Sequence, residues 1–390
     1  MNVNELARHA PHLFDVLPLS WNLHDVFLGV YMTYGNKNTW RDQVVPDFIT
    51  QGFKLVPNNS CIDILLQSSR RHASDKRDHI YALLGHPLIL VNGETIVQAD
   101  YERDVNDVYM EVSTKLLQNV EPSLSLAVAG TMGKRKARDL DSAQPSWVIH
   151  WELGSETANL GRPDQWYYAG GKDASADIEV DDAAKTLTLP AVIMDGIVWV
   201  SDQIPASEVQ IDNLIHAPKR HVAMEWVWDA LPSEPCRYTG KHGSRDAFTL
   251  SLVGGRYKHR GKAEDDLDRH RRLANAYLGY VKSHHSCGKG DESLRSDARD
   301  FENDHAVTAS ERRFIVTEKG FYGLGPQLTR EGDVVAVFPG LRVPYVLRPT
   351  GDMYKLVGAA YVHGVMCGEL LAEKDPLSLG VGKPKDVVIA

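Results

Sequence analysis

The C-terminal quarter of the chain alternates short runs of β-forming residues with breaks at Gly, Pro or Asp. The runs begin with RRFIVT at Arg312 and continue through GDVVAVFPG and PYVLRP to YKLVGAAYVHGVM. Runs rich in Val, Ile, Tyr and Phe predict strands, and the Gly and Pro residues between them predict turns. Because the runs are short and closely spaced, the pattern predicts a small, strongly bent antiparallel barrel or sheet.

The N-terminal third of the chain has the periodicity of amphipathic helices. Apolar residues at helical spacing follow Ser20 and end at Gly35, and a second such run follows Ser60 and Asp63. A third run follows Asp104, which can cap the free N–H groups of a first turn. Three helices with one apolar face each predict a small bundle.

Between the second and third of these helices lies the segment SDKRDHIYALLGHP, residues 74–87. Its charged first half and apolar second half predict a short helix, capped by Ser74 or Asp75 and ended by Gly85 with Pro87. We expect Arg77 to pair with a carboxylate. This pattern favours an ion-paired helix start over a catalytic group.

The middle of the chain mixes both kinds of pattern. The segment 186–202 alternates apolar and polar residues and predicts paired strands, whereas 219–231 and 262–283 have helical spacing. The segment 284–304 is dense in charge and poor in large apolar residues, so we expect a mobile surface connection or lid.

These patterns together predict an α+β fold, in which a helical N-terminal part packs on a β-rich C-terminal part. We expect a helical region over 1–130, mixed strands and helices with charged loops over 131–300, and a β-rich region over 301–390.

Composition limits the partners and the compartment. The 390 residues include 43 basic and 52 acidic side chains, for a net charge of −9, which argues against nucleic acid as a partner. No segment has the apolar length that a bilayer requires, and the four cysteines form no CxxC pair. We therefore expect a cytoplasmic protein with reduced thiols and no membrane contact.

Four segments resemble the fungal heterokaryon incompatibility (HET) proteins, and one of them is ADYERDVNDVYMEVSTKLL at 99–117. SDKRDHIYALLG is similar to the family's DPRDKIYALLGL element, and PSWVIHW, at 145–151, is similar to PSWVPDW. The run from Arg312 to Glu369, with its GLGP, GD and YVHG elements, resembles the closing segment of these proteins. The resemblance spans about residues 60 to 370 in the family's order.

The chain departs from the family pattern at its start. HET proteins usually begin with a TIR-like domain that carries YVALSYCWG and LWIDALCIDQ motifs, and residues 1–60 contain neither. The resemblance therefore implies the downstream body of the family without this domain, and we do not expect NAD consumption. Further departures are Ala359 and Ala360 in place of an acidic residue and Cys367 in place of Asp.

No sequence motif of cofactor or metal chemistry stands out. Nucleophile elbow, Walker, Rossmann and HExxH patterns are missing from the sequence, and we expect no cofactor and no metal. Pro326 lacks the N–H donor that a phosphate loop would need, so GLGP predicts a turn. The histidines at 284 and 285 with Cys287 lack a fourth ligand at tetrahedral spacing.

A candidate pocket is built from polar and aromatic residues. Tyr361 and His363 lie two apart in a predicted strand and therefore share a face. With Arg348 they are the candidate catalytic donors, and Trp147 and Trp151 are candidate walls for a substrate. Each of these five residues has an alternative interpretation as a packed, hydrogen-bonded core residue.

Two functions of different class follow. The first is a cofactor-free cyclase or isomerase of fungal secondary metabolism, a pericyclase of Diels–Alder type, which folds a small hydrophobic substrate and hydrogen-bonds it. The second is a non-catalytic interaction or regulatory protein of incompatibility signalling. A deep, enclosed apolar pocket would favour the enzyme, and a filled core with an open apolar surface would favour the interaction protein.

Overall fold

The computed structural model describes most of the chain beyond residue 60. The described residues are 61–69, 72–86, 89–120, 122–131, 140, 144–153, 160–161, 166–172, 174–216, 222–232, 242–257, 261–287, 290–371 and 383–390. Ser60–Ala390 forms one compact unit; the boundaries at residues 130 and 300 stay a prediction. In this part of the chain no helix combines the length and the apolar character needed to cross a bilayer.

Helices lie both before and after the long strand Thr186–Ile204 in the sequence. In chain order they are α1 Cys61–Ser69, α2 Asp78–Tyr81, α3 Val105–Asn119, α4 Pro122–Thr131, α5 Ile211–His216, α6 Ala223–Ala230, α7 Ser244–Leu252, α8 Leu267–Cys287 and α9 Arg295–Ala309. Single 3₁₀ turns lie at Trp151–Leu153, Ala206–Glu208, Ala263–Asp266 and Glu369–Leu371.

The strands concentrate in the C-terminal half. They are β1 Leu90–Val91, β2 Glu94–Thr95, β3 Glu179–Asp181, β4 Thr186–Ile204, β5 Arg256–Tyr257, β6 Gly261–Lys262, β7 Arg312–Thr317, β8 Tyr322–Gly325, β9 Val334–Val337, β10 Tyr345–Thr350, β11 Met353–Ala359, β12 Tyr361–Val362 and β13 Lys385–Ile389. This mixture of helices and a largely antiparallel sheet confirms the predicted α+β class.

Five strands close into a barrel. The order is β4–β13–β11–β10–β9, and β9 pairs again with β4, where Val192 lies opposite Val337. All of these pairs are antiparallel except β11–β13, in which Tyr354 lies opposite Ile389. Closure removes the exposed strand edges that an open sheet of this size would have. The small barrel predicted from the short β-rich runs is therefore confirmed.

Strand β4 also leads out of the barrel into a second sheet. It runs without a turn for 19 residues, and its C-terminal half pairs with β7, followed by β8 and β12. Register shifts between Ile193 and Asp195 and between Ile197 and Trp199 mark the bends that this change of partner requires. The strand structure predicted over 186–202 is therefore confirmed, but as one continuous strand that contains Gly196 and not as several paired strands.

The N-terminal helices pack one face inward, as their periodicity predicts. Asp104 caps α3 by accepting a hydrogen bond from the Asn106 N–H at 2.8 Å, and the apolar face of α3 is buried. The second and third predicted helices are confirmed as α1 and α3. The helix predicted from Ser20 to Gly35 lies outside the described residues.

The charged segment at 74–87 forms less helix than predicted. Only Asp78–Tyr81 is helical, and the N-cap, Arg77, has no side-chain capping bond. Instead, Asp75 accepts hydrogen bonds from the Arg77 side chain at 2.9 and 2.7 Å, and Arg77 donates to the Arg103 carbonyl at 2.7 Å. The predicted ion pair is confirmed, and it ties this segment to the start of α3.

The charged segment at 284–304 is a packed structure rather than a lid. Its first residues end α8, and its second half lies in α9, which packs against α8. Ala298, Phe301 and His305 recur at helical spacing and are at most 2 % exposed. The predicted mobile connection is wrong because one narrow face of small and aromatic side chains is enough to bury a mostly polar helix.

Three further predictions have clear outcomes. The helices expected over 219–231 and 262–283 are confirmed as α6 and α8, with residues 217–221 outside the described part. The turn expected at Gly323–Pro326 is wrong, since Tyr322–Gly325 forms β8. A Cβ on Gly323 would lie 2.3 Å from the Tyr361 carbonyl oxygen, so glycine here allows close approach of β12.

Candidate functional site

A buried chain of polar side chains starts at β12. The Tyr361 hydroxyl lies 3.2 Å from Nδ1 of His363, and Nε2 of His363 lies 3.1 Å from Nδ1 of His242. All three residues are buried. The structure thus brings two of the predicted catalytic residues together and adds His242, which lies just before α7.

Two histidines of this region, His363 and His270, are held in the neutral form. Burial, together with the smaller effects of the nearby His242 and His270, lowers the pKa of His363 to about 3. Burial likewise lowers the pKa of His270 to about 4, and its Nε2 lies 2.9 Å from the Thr249 hydroxyl. Because the rings are neutral, each can both donate and accept one hydrogen bond.

Arg348 lies in a different network. Its Nε and Nη2 donate to the two carboxylate oxygens of Asp333 at 2.8 and 3.1 Å, and Nη2 also donates to the Leu328 carbonyl at 2.7 Å. Arg348 and Asp333 are both buried. Among the described contacts none joins Arg348 to Tyr361 or His363, so its catalytic role stays a prediction.

The two predicted tryptophan walls are part of the main core. Trp147 and Trp151 are at most 1 % exposed and belong to the large apolar cluster that also contains the buried face of α3. Trp147 Nε1 lies 3.4 Å from the Lys185 carbonyl oxygen. Neither residue lines the two cavities described below, so their role as substrate walls also stays a prediction.

A cavity of about 240 Å³ lies between the β5–β6 hairpin, the start of α8 and α9. The hairpin and α8 contribute Arg256, Lys262 and Arg269, and α9 contributes Asp300 and Asp304. The remaining polar lining is Tyr257, Gly261, Asp265, Asp266 and His270, and the apolar lining is Val253, Ala263, Leu273 and Phe301. The cavity is therefore small, and charged side chains lie among its apolar lining, unlike an enclosed apolar substrate pocket.

The second described cavity is a shallow, open depression on α6. It measures about 720 Å³ and is lined by Glu225, Trp226, Trp228, Asp229, Ala230 and Arg245. The Arg245 guanidinium lies 4.5 Å from the centre of the Trp228 ring, and Trp226 Nε1 donates to Glu208 at 2.7 Å. We call these six lining residues the α6 surface. Such an open aromatic surface suits another macromolecule better than a small substrate.

The predicted ligand candidates at 284–287 make other contacts. His285 Nε2 lies 2.9 Å from the Leu214 carbonyl oxygen, and the His284 ring packs on Tyr280. Within the described residues, no three His, Cys, Asp or Glu side chains are placed to hold a metal ion together.

Cys367, where the family pattern has Asp, contacts the hairpin beside the first cavity. Lys262 Nζ lies 3.4 Å from Cys367 Sγ, and the Cys367 N–H donates to Glu369 at 2.6 Å. Burial and the nearby Glu369 raise the pKa of the thiol, against the opposing effect of Lys262. Lys262 also lies 4.7 Å from the Trp166 ring centre, so its ammonium group is already held at this position.

Part of the chain is similar to known proteins. Residues 292–376 match the Het-6 beta-barrel domain, a range that runs from before α9 to past β12. Over 63 residues the chain is 49% identical to heterokaryon incompatibility protein 6, OR allele, of Neurospora crassa. That match covers 15% of this chain and 9% of the Neurospora protein. No solved structure matches the chain.

Within this α+β protein, residues 292–376 therefore correspond to a Het-6 beta-barrel domain. Strands β4 and β13, which complete the closed barrel, lie outside the matched range. The predicted resemblance to the heterokaryon incompatibility proteins is confirmed over these matched residues.

Proposed function

We propose that this protein is a non-catalytic recognition or regulatory component of heterokaryon incompatibility. The match of residues 292–376 to the Het-6 beta-barrel domain carries the proposal, and the similar Neurospora protein is named for incompatibility. Because these matches cover a limited part of each chain, the activity of the whole relative is carried over as a proposal.

The α6 surface supports this function. Trp226 and Trp228 are half-buried, and partly exposed tryptophan is enriched at protein interfaces. Asp229 is exposed on the same face, and the Glu225 carboxylate lies 2.6 Å from Lys282 Nζ. The aromatic floor and the acidic edge favour a protein partner that presents Lys or Arg side chains.

The cyclase interpretation has less support. Closure of a polyene or terpenoid diene needs an apolar enclosure for the whole substrate. Of the two described cavities, one is small and lined by charged groups, and the other is shallow and open. Neither contains Tyr361, His363 or Arg348, the residues predicted to supply hydrogen bonds.

A heterokaryon assay in Neurospora crassa tests the proposed function. We expect expression of the chain in one nuclear background to reduce growth of the heterokaryon and to increase staining by a vital dye. Asp229→Lys, which reverses the charge of the α6 surface, should restore growth. Asp352→Lys is the matched control, because Asp352 is also exposed but lies in the turn between β10 and β11.

Two outcomes would contradict the proposal. One is unchanged heterokaryon growth although the chain accumulates in folded form. The other is turnover of polyene or terpenoid dienes by the purified chain, measured by mass spectrometry, which would restore the cyclase interpretation.

A further inference from the structure

The turn between β1 and β2 carries the one Asn-Gly pair of the sequence. Asn92 and Gly93 connect Leu90–Val91 with Glu94–Thr95, and they have positive φ angles of 53° and 86°. Positive φ at both central positions is typical of a type I′ turn, which Asn and Gly adopt with the least strain. Both residues are exposed, so the pair is open to water.

An asparagine that precedes a glycine is chemically reactive. The backbone nitrogen of the glycine attacks the side-chain amide carbon of the asparagine, and the missing Cβ of glycine leaves room for this approach. A bond forms between this nitrogen and Cγ, the Cγ–Nδ2 bond breaks, and ammonia leaves with the proton of the glycine N–H. Water then opens the cyclic imide at either carbonyl, which yields aspartate or isoaspartate. The reaction therefore consumes one water and releases one ammonia, and it needs no oxidant.

The reacting groups are accessible in this turn. Among the described hydrogen bonds, none has the Gly93 N–H as its donor. A Cβ atom on Gly93 would meet nothing within 4 Å, so the surroundings leave the turn room to rearrange. The Asn92 side chain is held by a hydrogen bond from its Nδ2 to Asn119 Oδ1 at 3.2 Å, on the exposed surface.

The hairpin that holds this turn is short. Strands β1 and β2 form a two-stranded sheet of their own, with the residue pairs Leu90–Thr95 and Val91–Glu94. A two-stranded hairpin is marginally stable, and exposed elements with few buried contacts open locally at low free-energy cost. The attack requires such an opening, because the Gly93 nitrogen must come within bonding distance of Asn92 Cγ. We therefore expect the reaction to be slower than in an unstructured peptide but to proceed in the folded chain.

We propose that Asn92 is a site of spontaneous deamidation, and that its product loosens the β1–β2 hairpin from α3. Asn119 is the last residue of α3, and its Nδ2 donates to the Lys115 carbonyl oxygen at 3.2 Å, which turns Oδ1 toward residue 92. A carboxylate at residue 92 has no donor for this oxygen. It also adds a negative charge beside the negative end of the helix dipole. The site does not depend on the partner-binding function proposed above.

Mass spectrometry of the full chain, incubated in heavy-oxygen water at mildly alkaline pH, tests the site. Trypsin releases residues 78–103 as one peptide, in which Asn92 is the single asparagine. We expect this peptide to gain heavy oxygen, and isoaspartate methyltransferase to label the incubated chain. Asn119 is an internal control, because it is also exposed but precedes Val120. Asn92 should convert about tenfold faster than Asn119, since the branched Cβ of Val120 crowds the attacking nitrogen.

A variant that carries the product carboxylate tests its effect on the hairpin. In Asn92→Asp we expect amide hydrogen exchange over residues 90–95 to be about threefold faster than in the unaltered chain, because the hairpin opens more often. Asn213→Asp is the matched control. Asn213 is also exposed, and its Nδ2 donates to Gln210 Oε1 at 2.7 Å, so this variant loses a similar bond in α5. It should leave exchange over residues 90–95 unchanged.

Three results would overturn the proposal. The first is no heavy oxygen at Asn92 of the folded chain by the time a synthetic peptide of residues 78–103 has been converted completely. The second is equal conversion of Asn92 and Asn119, a comparison that needs no variant to fold. The third is hydrogen exchange over residues 90–95 that is the same in Asn92→Asp as in the unaltered chain. Failure of the heterokaryon assay would leave all three measurements unaffected.

Discussion

The guanidinium of Arg348 and the carboxylate of Asp333 form a two-pronged, buried ion pair. The bonds of 2.8 and 3.1 Å join β10 to the residue just before β9, and Asp333 also accepts the Arg330 N–H at 2.9 Å. The pair therefore fixes the start of one barrel strand against its neighbour. A side chain with this many structural bonds is constrained by the barrel before any catalytic role is considered.

Breaking this pair should destabilise the barrel. We expect Arg348→Met or Asp333→Leu alone to lower the free energy of unfolding by about 3–5 kcal/mol, since each leaves one buried charge without its partner. The double variant Arg348→Met with Asp333→Leu should be less destabilised than the sum of the two. Urea unfolding followed by circular dichroism measures all three.

The unfolding free energies of the single and double variants show whether Arg348 and Asp333 stabilise each other. Additive losses in the double variant would mean that the two side chains do not stabilise each other, and this interpretation would be wrong. Arg272→Met is the control, because the partly exposed Arg272–Asp297 pair should contribute at most about 1 kcal/mol.

Stability should fall on mild acidification because of the buried histidines. Burial lowers the pKa of His363 to about 3 and that of His270 and His305 to about 4, whereas the unfolded value is about 6.5. Below pH 6.5 the unfolded chain takes up protons that the folded chain does not. The stability present above about pH 6.5 is therefore lost as the pH falls toward the folded values.

Each such histidine should contribute about 1.4 kcal/mol per pH unit in this window. We expect His363→Gln to reduce the change in unfolding free energy between pH 7 and pH 5 by about 2 kcal/mol relative to the unaltered chain. His216→Gln, at an exposed position, should leave that change as it is. If His363→Gln showed the same change in unfolding free energy between pH 7 and pH 5 as the unaltered chain, the His363 ring would not be buried in the neutral form.

Sequence patterns predicted those parts of the fold that are stabilised by residues close together in the chain. The cap at Asp104, the apolar face of α3 and the pair Arg77–Asp75 each depend on residues close in sequence. The barrel strands were recognisable because short β-rich runs carry their own turn residues. The resemblance to HET proteins rested on the same segments.

Features that depend on distant contacts were missed. The length of β4 comes from its successive pairing with β13, β9 and β7, which no pattern inside residues 186–204 reveals. His242 reaches His363 across 121 residues of sequence, and no motif connects them. The charged cavity was missed for the same reason, because Arg269 and Asp300 look like ordinary surface charges until α8 and α9 pack together.

The Asp104 cap of α3 should make a measurable contribution to the free energy of unfolding. Asp104→Ala removes the acceptor for the Asn106 N–H and should lower the free energy of unfolding by about 1 kcal/mol. Asp104→Asn keeps a capping oxygen and should cost only a few tenths of that amount. Equal losses in thermal unfolding of the two variants would mean that the carboxylate acts through its charge and not as a cap.

The backbones of helix α4 and barrel strand β11 lie in close contact. A Cβ atom on Gly130, in α4, would lie 2.1 Å from the Cα of Gly358, in β11, and 2.9 Å from the Val357 carbonyl oxygen. Because backbone cannot rotate away as a side chain can, we expect Gly130→Ala to lower the free energy of unfolding by about 3 kcal/mol or more. Gly85→Ala is the control, since a Cβ there meets nothing within 4 Å and should change stability by at most about 1 kcal/mol. Similar chemical unfolding curves for the two variants would contradict the seating of α4 against β11.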